Sequence, residues 1–122
     1  MLETPADRLR SAAARVRAEH TTGELCDADG NVCALGALLN LRDDQYKNHY
    51  PAEYAAAEML LSQDRIAADA AEALRVHLGE PVTPARSLPD IIALWNDHIA
   101  PVGEIARAME DVAAKWEADH GC

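Results

Sequence analysis

The sequence predicts a mainly α-helical fold, a compact bundle of about five helices with one short β-hairpin near residues 24–33. Hydrophobic residues make up 49% of the 122 residues, but Phe is absent and Ala is the commonest residue, which suits helices packed closely through small side chains. Apolar residues recur at three- and four-residue spacing along most of the chain. The length suits one domain and no repeat divides it, so residues 1–122 are expected to form a single helical domain.

The first helix is predicted from its start signal. Thr4 is a favourable N-cap, Pro5 fits the first helical position and Asp7 suits the first turn. The helix should therefore span residues 5–19. Its buried face would carry Leu9, Ala13, Val16 and His20.

A hairpin is predicted around Asp29 and Gly30, because this dipeptide favours the positive φ angles of a two-residue turn. Its strands would contain Leu25, Cys26, Val32 and Cys33. Residues 34–41 should then form a short buried helix, since they are apolar on nearly every side. Gly36 lies inside that helix, where glycine costs about 1 kcal/mol relative to alanine, which predicts that another backbone passes close by.

A long Ala-rich helical stretch is predicted from Pro51 to Leu78, with Gly79 as its C-cap and a proline two residues later as a stop. Residues 62–64 interrupt the pattern, so two helices and one bent helix both remain open. Residues 79–86 are expected to form a linker within the domain.

Two further helices complete the bundle. Ser87 should cap one of them, with Asp90 in the capping-box position and a buried stripe of Leu88, Ile91, Ile92, Trp95 and Ile99. After Pro101, a final amphipathic helix would expose Glu104, Arg107, Asp111 and Lys115. The predicted core comprises Leu9, Val16, Leu35, Leu38, Leu61, Leu74, Ile91, Ile92, Trp95, Ile105, Met109, Val112 and Trp116.

The net charge of −10 is concentrated outside residues 1–20, which carry four Arg against three acids, while the rest has seven bases against eighteen acids. Direct binding to nucleic acid or to an anionic membrane is not expected, because both require clustered Lys and Arg. The predicted partner is another protein, and a basic one would complement the charge. The oligomeric state is left open.

A cytoplasmic protein is expected. No run approaches the roughly 20 apolar residues of a membrane helix, and the first residues lack the basic start and apolar stretch of a secretion signal. Three cysteines, Cys26, Cys33 and Cys122, are too few for a disulfide framework.

Residues 26–33 raise the question of a metal site. Calcium is rejected, because Val32 and Leu38 stand where an EF-hand loop needs glycine and glutamate. Zinc would need two more ligands, and the five histidines show no metal-binding spacing. No metal and no cofactor is therefore predicted, and a disulfide between Cys26 and Cys33 is left open.

Cys33 is the candidate reactive thiol. A thiol at a helix start can have its pKa lowered by the helix dipole and the free N–H groups. The alternative, which the usual burial of cysteine favours, is that the sulfur packs inward.

The string Trp95-Asn96-Asp97 is the second candidate site. A polar pair beside an indole could bind a ligand or partner. In the alternative, purely structural interpretation, Trp95 would fill the core, Asn96 would cap a helix end and Asp97 would satisfy backbone N–H groups at the next turn. Cys33, Trp95, Asn96 and Asp97 are thus the candidate binding residues, and no catalytic residue is predicted.

Cys33-Ala34-Leu35-Gly36-Ala37, Trp95-Asn96-Asp97 and the following Glu104-Ile105 resemble a family of small uncharacterised proteins of actinobacteria and their phages, with C-x-x-G-A and W-N-D motifs. The resemblance spans nearly the whole chain and implies an opening helix, a hairpin, the C-x-x-G-A helix, a variable helical middle and a final amphipathic helix after W-N-D. Val102-Gly103 replaces the Thr or Ser often seen before that helix. The family supplies no catalytic residue; it raises the idea that the two motifs meet as a packing hub or a small pocket.

The function predicted first is a non-enzymatic protein-binding or regulatory accessory module of bacterial or phage origin. One alternative is a cysteine-dependent enzyme or redox sensor that uses Cys33, with Cys26 as its resolving partner. Another is an acidic DNA mimic, whose carboxylates would occupy a DNA-binding protein.

Overall fold

The computed structural model describes residues 3–22, 25, 31–40, 57–99 and 101–120, and it is mainly helical, as predicted. Within these residues there are six α-helices and one π-helical turn. In chain order they are α1 (Pro5–Ala18), α2 (Ala34–Leu38), α3 (Ala57–Gln63), α4 (Arg65–Leu78), α5 (Leu88–Leu94), π1 (Trp95–Ile99) and α6 (Val102–His120). None of these helices is long and apolar enough to cross a membrane.

The start signals of α1 and α5 work as predicted. Thr4 and Asp7 form a capping box, in which the Thr4 hydroxyl accepts the Asp7 N–H at 3.1 Å and the Asp7 carboxylate accepts the Thr4 N–H at 3.0 Å. Ser87 and Asp90 form the same reciprocal pair at the start of α5. Each box satisfies two N–H groups that lack partners within the helix.

The interruption at residues 62–64 separates two helices. Asp64 caps α4, because its carboxylate accepts the N–H of Ala67 at 3.1 Å. Gly79 ends α4 in the left-handed conformation at φ 74°, as the C-cap prediction requires. The predicted start at Pro51 lies outside the described residues.

The prediction that Ile99 belongs to a buried stripe is wrong. The helix passes into π1 at Trp95, and a π-helical turn holds more residues than an α-helical one. A residue four positions after Trp95 therefore no longer lies on the same side. Ile99 is 66% exposed, whereas Trp95 is 7% exposed.

The structure does not support the predicted hairpin. Residues 24 and 26–30, including the Asp29-Gly30 turn, lie outside the described residues, and the described ones contain no strand. Val32 instead forms a single parallel bridge with the segment after α1: its N–H donates to Glu19 O at 2.7 Å, and its carbonyl accepts the Thr21 N–H at 3.0 Å. These bonds satisfy the backbone of Val32 without a hairpin partner.

The core forms where α1 packs along α6, with α2 and α4 also against α1. Small side chains such as Ala12, Ala13, Ala106 and Ala113 are buried here and let the helices approach closely. Every predicted core residue is buried except Trp116, which is half-buried and packs against the core. The four charged residues predicted on the outer face of α6 are exposed.

Arg8 is a buried ion that the sequence did not reveal. Its guanidinium donates two parallel hydrogen bonds to Glu3, both at 2.8 Å, one to Leu38 O at 2.8 Å and one to Asp64 at 2.7 Å. The bonds to Glu3 and then Asp64 outweigh burial and raise the pKa of Arg8 above its ordinary value. Arg8 thereby ties α1 to the end of α2 and the start of α4.

Replacing Arg8 with methionine should lower the free energy of unfolding by about 2 kcal/mol. This loss is smaller than the loss from breaking a fully buried ion pair, because Glu3 and Asp64 are partly hydrated. Urea unfolding followed by circular dichroism measures the loss. Arg65→Met is the matched control, since Arg65 is exposed and its pair with Asp69 should contribute less than about 0.5 kcal/mol. Equal losses in the two variants would contradict the role assigned to Arg8.

Two exposed ion pairs join α1 to α6. Arg17 donates to both carboxylate oxygens of Glu110, at 2.5 and 2.7 Å, and Arg10 pairs with Glu117 at 2.6 Å. These hydrogen bonds lower the pKa values of Glu110 and Glu117 from their usual range. A carboxylate with a lowered folded-state pKa stabilises the fold above its unfolded pKa, and that stability is lost as the pH falls through the folded value.

We expect Glu110 to titrate below an ordinary glutamate in the folded protein, as read from its side-chain carbonyl NMR shift. Arg17→Gln should move the Glu110 pKa back up, because its main hydrogen bonds are removed. Glu117, held by Arg10, is the internal control and should keep its lowered pKa. An ordinary pKa for Glu110 in the unmodified chain would show that the pair does not form in solution.

Candidate functional site

The candidate site centres on Asn96, whose side chain is only 2% exposed. Its carbonyl oxygen Oδ1 accepts the Ala34 N–H at 2.9 Å and lies 2.8 Å from Nε2 of His20. Its amide Nδ2 donates to Thr21 O at 3.3 Å and to the Asp97 carboxylate at 2.8 Å. Asn96 thus joins π1 to the start of α2 and to the segment that follows α1.

These four contacts use the whole hydrogen-bonding capacity of the Asn96 side chain. An amide offers two acceptor positions on oxygen and two N–H donors on nitrogen. The Ala34 N–H can only donate and the Thr21 carbonyl can only accept, so the orientation of the amide is fixed. Nε2 of His20 must then carry a proton, because it meets an acceptor. Both the neutral Nε2–H tautomer and the imidazolium of His20 meet this requirement.

Cys33 lies beside this centre as the N-cap of α2. Its side chain is fully buried, and Sγ accepts the N–H of Gly36 at 3.3 Å. The bond between Ala34 and Asn96 therefore brings the Cys33 and Trp95-Asn96-Asp97 motifs together in space. The possible disulfide to Cys26 lies outside the described residues.

Gly36 has the backbone neighbour that its position in a helix predicts. A Cβ atom on Gly36 would lie 2.0 Å from Leu25 O and 2.9 Å from Leu25 C. The Leu25 carbonyl also accepts the N–H of Cys33 at 3.2 Å. The backbone that glycine admits at position 36 is therefore that of Leu25. Leu25 is far in sequence from both Trp95 and Asp97.

Trp95 and Asp97 differ in their surroundings. Trp95 lines an apolar groove of about 190 Å³, together with Leu78, Ile91, Leu94 and Ile99 and the charged side chains of Glu80 and Arg86. Asp97 is half-buried and accepts from Asn96. Of the four candidate binding residues, Trp95 lines a groove and Asp97 is partly exposed, whereas Cys33 and Asn96 are buried.

Sequence reasoning missed the partners of Asn96. His20 was placed on the buried face of the first helix, and Thr21 was not singled out as a partner. No local pattern marks either residue, because both meet Asn96 from more than 70 positions away in the chain. In the part of the chain that the structure describes, no three His, Cys, Asp or Glu side chains lie close enough to hold a metal ion.

The burial of Cys33 leads to a measurable expectation. Alkylation of Cys33 in the folded protein should be roughly a hundredfold or more slower than in the denatured protein, because the fold must open to expose Sγ. The rate is read by mass spectrometry of the peptide that contains Cys33, with the denatured chain as the control. A Cys33 that reacts as fast when folded would favour thiol chemistry instead.

Comparison with known proteins gives one result. The sequence matches the model of DUF6197, described as a family of unknown function, over residues 1–115. Neither the curated proteins nor the solved structures contain a match. Because the family model covers nearly the whole chain, this protein belongs to DUF6197.

Proposed function

We propose that this protein is a non-enzymatic accessory module, of bacterial or phage origin, that acts by binding another protein. The observation that carries the proposal is the complete hydrogen bonding of the Asn96 side chain. Its four hydrogen-bonding positions are all used within the fold, and the neighbouring Cys33 sulfur is fully buried. Asn96 is therefore engaged in joining π1 to α2 and the Cys33 sulfur is enclosed, which leaves the exposed surface to engage a partner.

The exposed surface supports binding to a protein that carries basic groups. The net charge is −10, and many arginines are held in ion pairs with neighbouring acids, among them Arg10, Arg17, Arg65, Arg75 and Arg86. The surface also exposes large apolar side chains, including Val76, Val82 and Ile99. Apolar contacts supply much of the affinity at protein interfaces, while complementary charge raises the association rate and the specificity.

The origin rests on the C-x-x-G-A and W-N-D motifs, which resemble proteins of actinobacteria and their phages. A tagged full-length chain should therefore capture a partner from a lysate of the cells that encode it, or of the phage host. We expect at least one protein to be retained saturably as the bait concentration rises. Excess untagged chain should displace that protein. Poly-glutamate should not displace it, because negative charge alone does not supply the apolar contacts of the interface. Retention of no saturable partner at low ionic strength would overturn the proposal.

Two measurements separate the alternatives, alkylation of Cys33 for the first and capture from the lysate for the second. A cysteine-dependent enzyme or redox sensor is favoured by the N–H that Sγ of Cys33 accepts at a helix start, an arrangement that stabilises a thiolate. It requires the fast alkylation that burial of the sulfur opposes. A DNA mimic requires that the captured partner be a DNA-binding protein and that duplex DNA compete with this chain for it.

A further inference from the structure

We propose that a groove between the starts of α3 and α5 receives a lysine- or arginine-bearing segment of the protein partner. This acidic groove has a volume of about 410 Å³, and its lining includes the carboxylates of Glu58 and Asp90 and the apolar surfaces of Val82, Pro84 and Pro89. The inference rests on the proposed function, and it names the surface and the chemistry of what binds there.

Among the residues that the structure describes, the charges that line the acidic groove have one sign. Glu58 and Asp90 are both exposed, and none of the described residues that line the groove is basic. Arg86, which is next to the groove in sequence, lines the apolar groove instead and pairs there with Glu80 at 3.8 Å. A surface with carboxylates alone attracts a cationic segment and repels an anionic one.

Two other grooves in the described part of the chain lack this property. The apolar groove beside Trp95 contains the Glu80–Arg86 pair. A third groove, between the C-terminal halves of α4 and α6, is lined by Lys115 as well as Asp119. These two grooves therefore carry positive and negative charges, and they do not distinguish a cationic partner from an anionic one.

The apolar lining distinguishes a basic side chain from a small cation. Val82 is 53% exposed, and the exposed ring of Pro84 lies two residues away in the same loop. Lysine and arginine combine an aliphatic stem with a charged head, so the stem can pack on apolar atoms while the head reaches a carboxylate. Val82 and Pro84 beside Glu58 and Asp90 match that division.

The walls of the acidic groove are held in place before a partner arrives. Thr83 and Arg86 exchange two backbone hydrogen bonds, each 3.1 Å long, which close the turn that carries Pro84. Ser87 and Asp90 are fixed by the capping box of α5. A preformed surface loses less conformational entropy on binding than a loose one.

The test is an NMR titration of the full-length, isotope-labelled chain. The probe is the capped peptide acetyl-Leu-Lys-Leu-Arg-amide, and its acidic counterpart is acetyl-Leu-Glu-Leu-Glu-amide. We expect the basic peptide to shift backbone signals of residue 58 and of residues 82–90 saturably, and the acidic peptide to shift none of them. Glu58→Gln should weaken binding about threefold, the effect of losing one exposed charge pair.

Matched variants make the result specific. Glu104→Gln removes the same charge from the exposed face of α6, outside the groove, and should leave the affinity unchanged. Val82→Ser shortens an exposed apolar contact and should also weaken binding by a few fold. The inference is overturned if no signal shifts, if the acidic peptide binds equally, if Glu104→Gln weakens binding as much as Glu58→Gln, or if shifts spread over all exposed acids.

The two proposals fail separately. If lysate capture finds a saturable partner but the acidic groove does not respond to the basic peptide, the partner binds elsewhere and only this inference falls. If the groove binds the peptide with the expected specificity while lysate capture finds nothing, the groove is retained and the proposed function falls.

Discussion

Replacing Gly36 with alanine should lower the free energy of unfolding by about 3 kcal/mol, the upper end of the cost of overpacking a core. The new Cβ would lie 2.0 Å from the Leu25 carbonyl oxygen, closer than any real contact. The obstacle is backbone and not a flexible side chain, so residue 25 or α2 must move. Movement would strain the hydrogen bond from Cys33 to Leu25 and the approach of Ala34 to Asn96. Urea unfolding followed by circular dichroism measures the loss.

Gly103→Ala is the matched control for this variant. Gly103 lies in the first turn of α6, and a Cβ atom there has no neighbouring atom within 4 Å. The substitution should stabilise the protein by about 0.5 kcal/mol, since alanine has less backbone freedom to lose. If both variants change stability by the same amount and sign, Gly36 does not hold a close backbone contact.

Asn96→Ala should have a cost of similar size, about 3 kcal/mol, because several buried groups lose their partner together. The Ala34 N–H and the Thr21 carbonyl would each lack a hydrogen bond that the amide supplies. His20 would lose its contact with Oδ1 as well. The expected signature is lower stability in urea, together with faster hydrogen exchange at the amide of Ala34.

Gln63→Ala, at an exposed helix end, is the neutral control and should change the free energy of unfolding by less than about 0.5 kcal/mol. Asn96→Asp provides a second check. This variant keeps two acceptor oxygens but loses the donor to Thr21. It also places a carboxylate beside Asp97, and the adjacent negative charge raises the pKa of the new carboxyl group. Its stability deficit should therefore shrink as the pH falls and one carboxyl is protonated. A cost for Asn96→Ala no greater than for Gln63→Ala would remove Asn96 as the joint between π1 and α2.

The sequence predicts local features of this fold well. The N-cap at Thr4 and the capping box at Ser87 depend on residues at most three positions apart, so their pattern is visible in the chain. The same is true of the C-cap at Gly79 and of the buried stripe of α6. Gly36 shows a less direct case, because glycine within an apolar helix indicates a close neighbour without saying which one.

Features that join distant segments were not predictable in this way. Arg8 meets Leu38 and Asp64, which lie 30 and 56 positions away, and nothing near Arg8 marks it as buried. Val32 was assigned to a hairpin because its neighbours favour a turn, whereas its backbone pairs with the segment after α1. The π-helical turn buries both Trp95 and Asn96, and the regular spacing of an α-helix does not predict it.

The resemblance suggested that the two motifs of the candidate site meet, but the sequence did not predict the contacts through which they do so. Cys33 and Asn96 were chosen for their chemistry, and the structure connects them through the Ala34 N–H. A binding role for Cys33, Trp95, Asn96 and Asp97 stays a prediction. The contacts that occupy Asn96 come from three separate segments, so only the folded chain shows that its amide is already engaged.

The packing of α1 along α6 has a consequence for synthesis on the ribosome. The chain is made from the N-terminus, so α1 leaves the exit tunnel long before the helix it packs along most extensively. The part of its surface that α6 covers in the native fold stays uncovered until α6 has been made, a period when nascent chains are open to aggregation. Translation speed and chaperone access across residues 19–101 therefore bear on the yield of native protein.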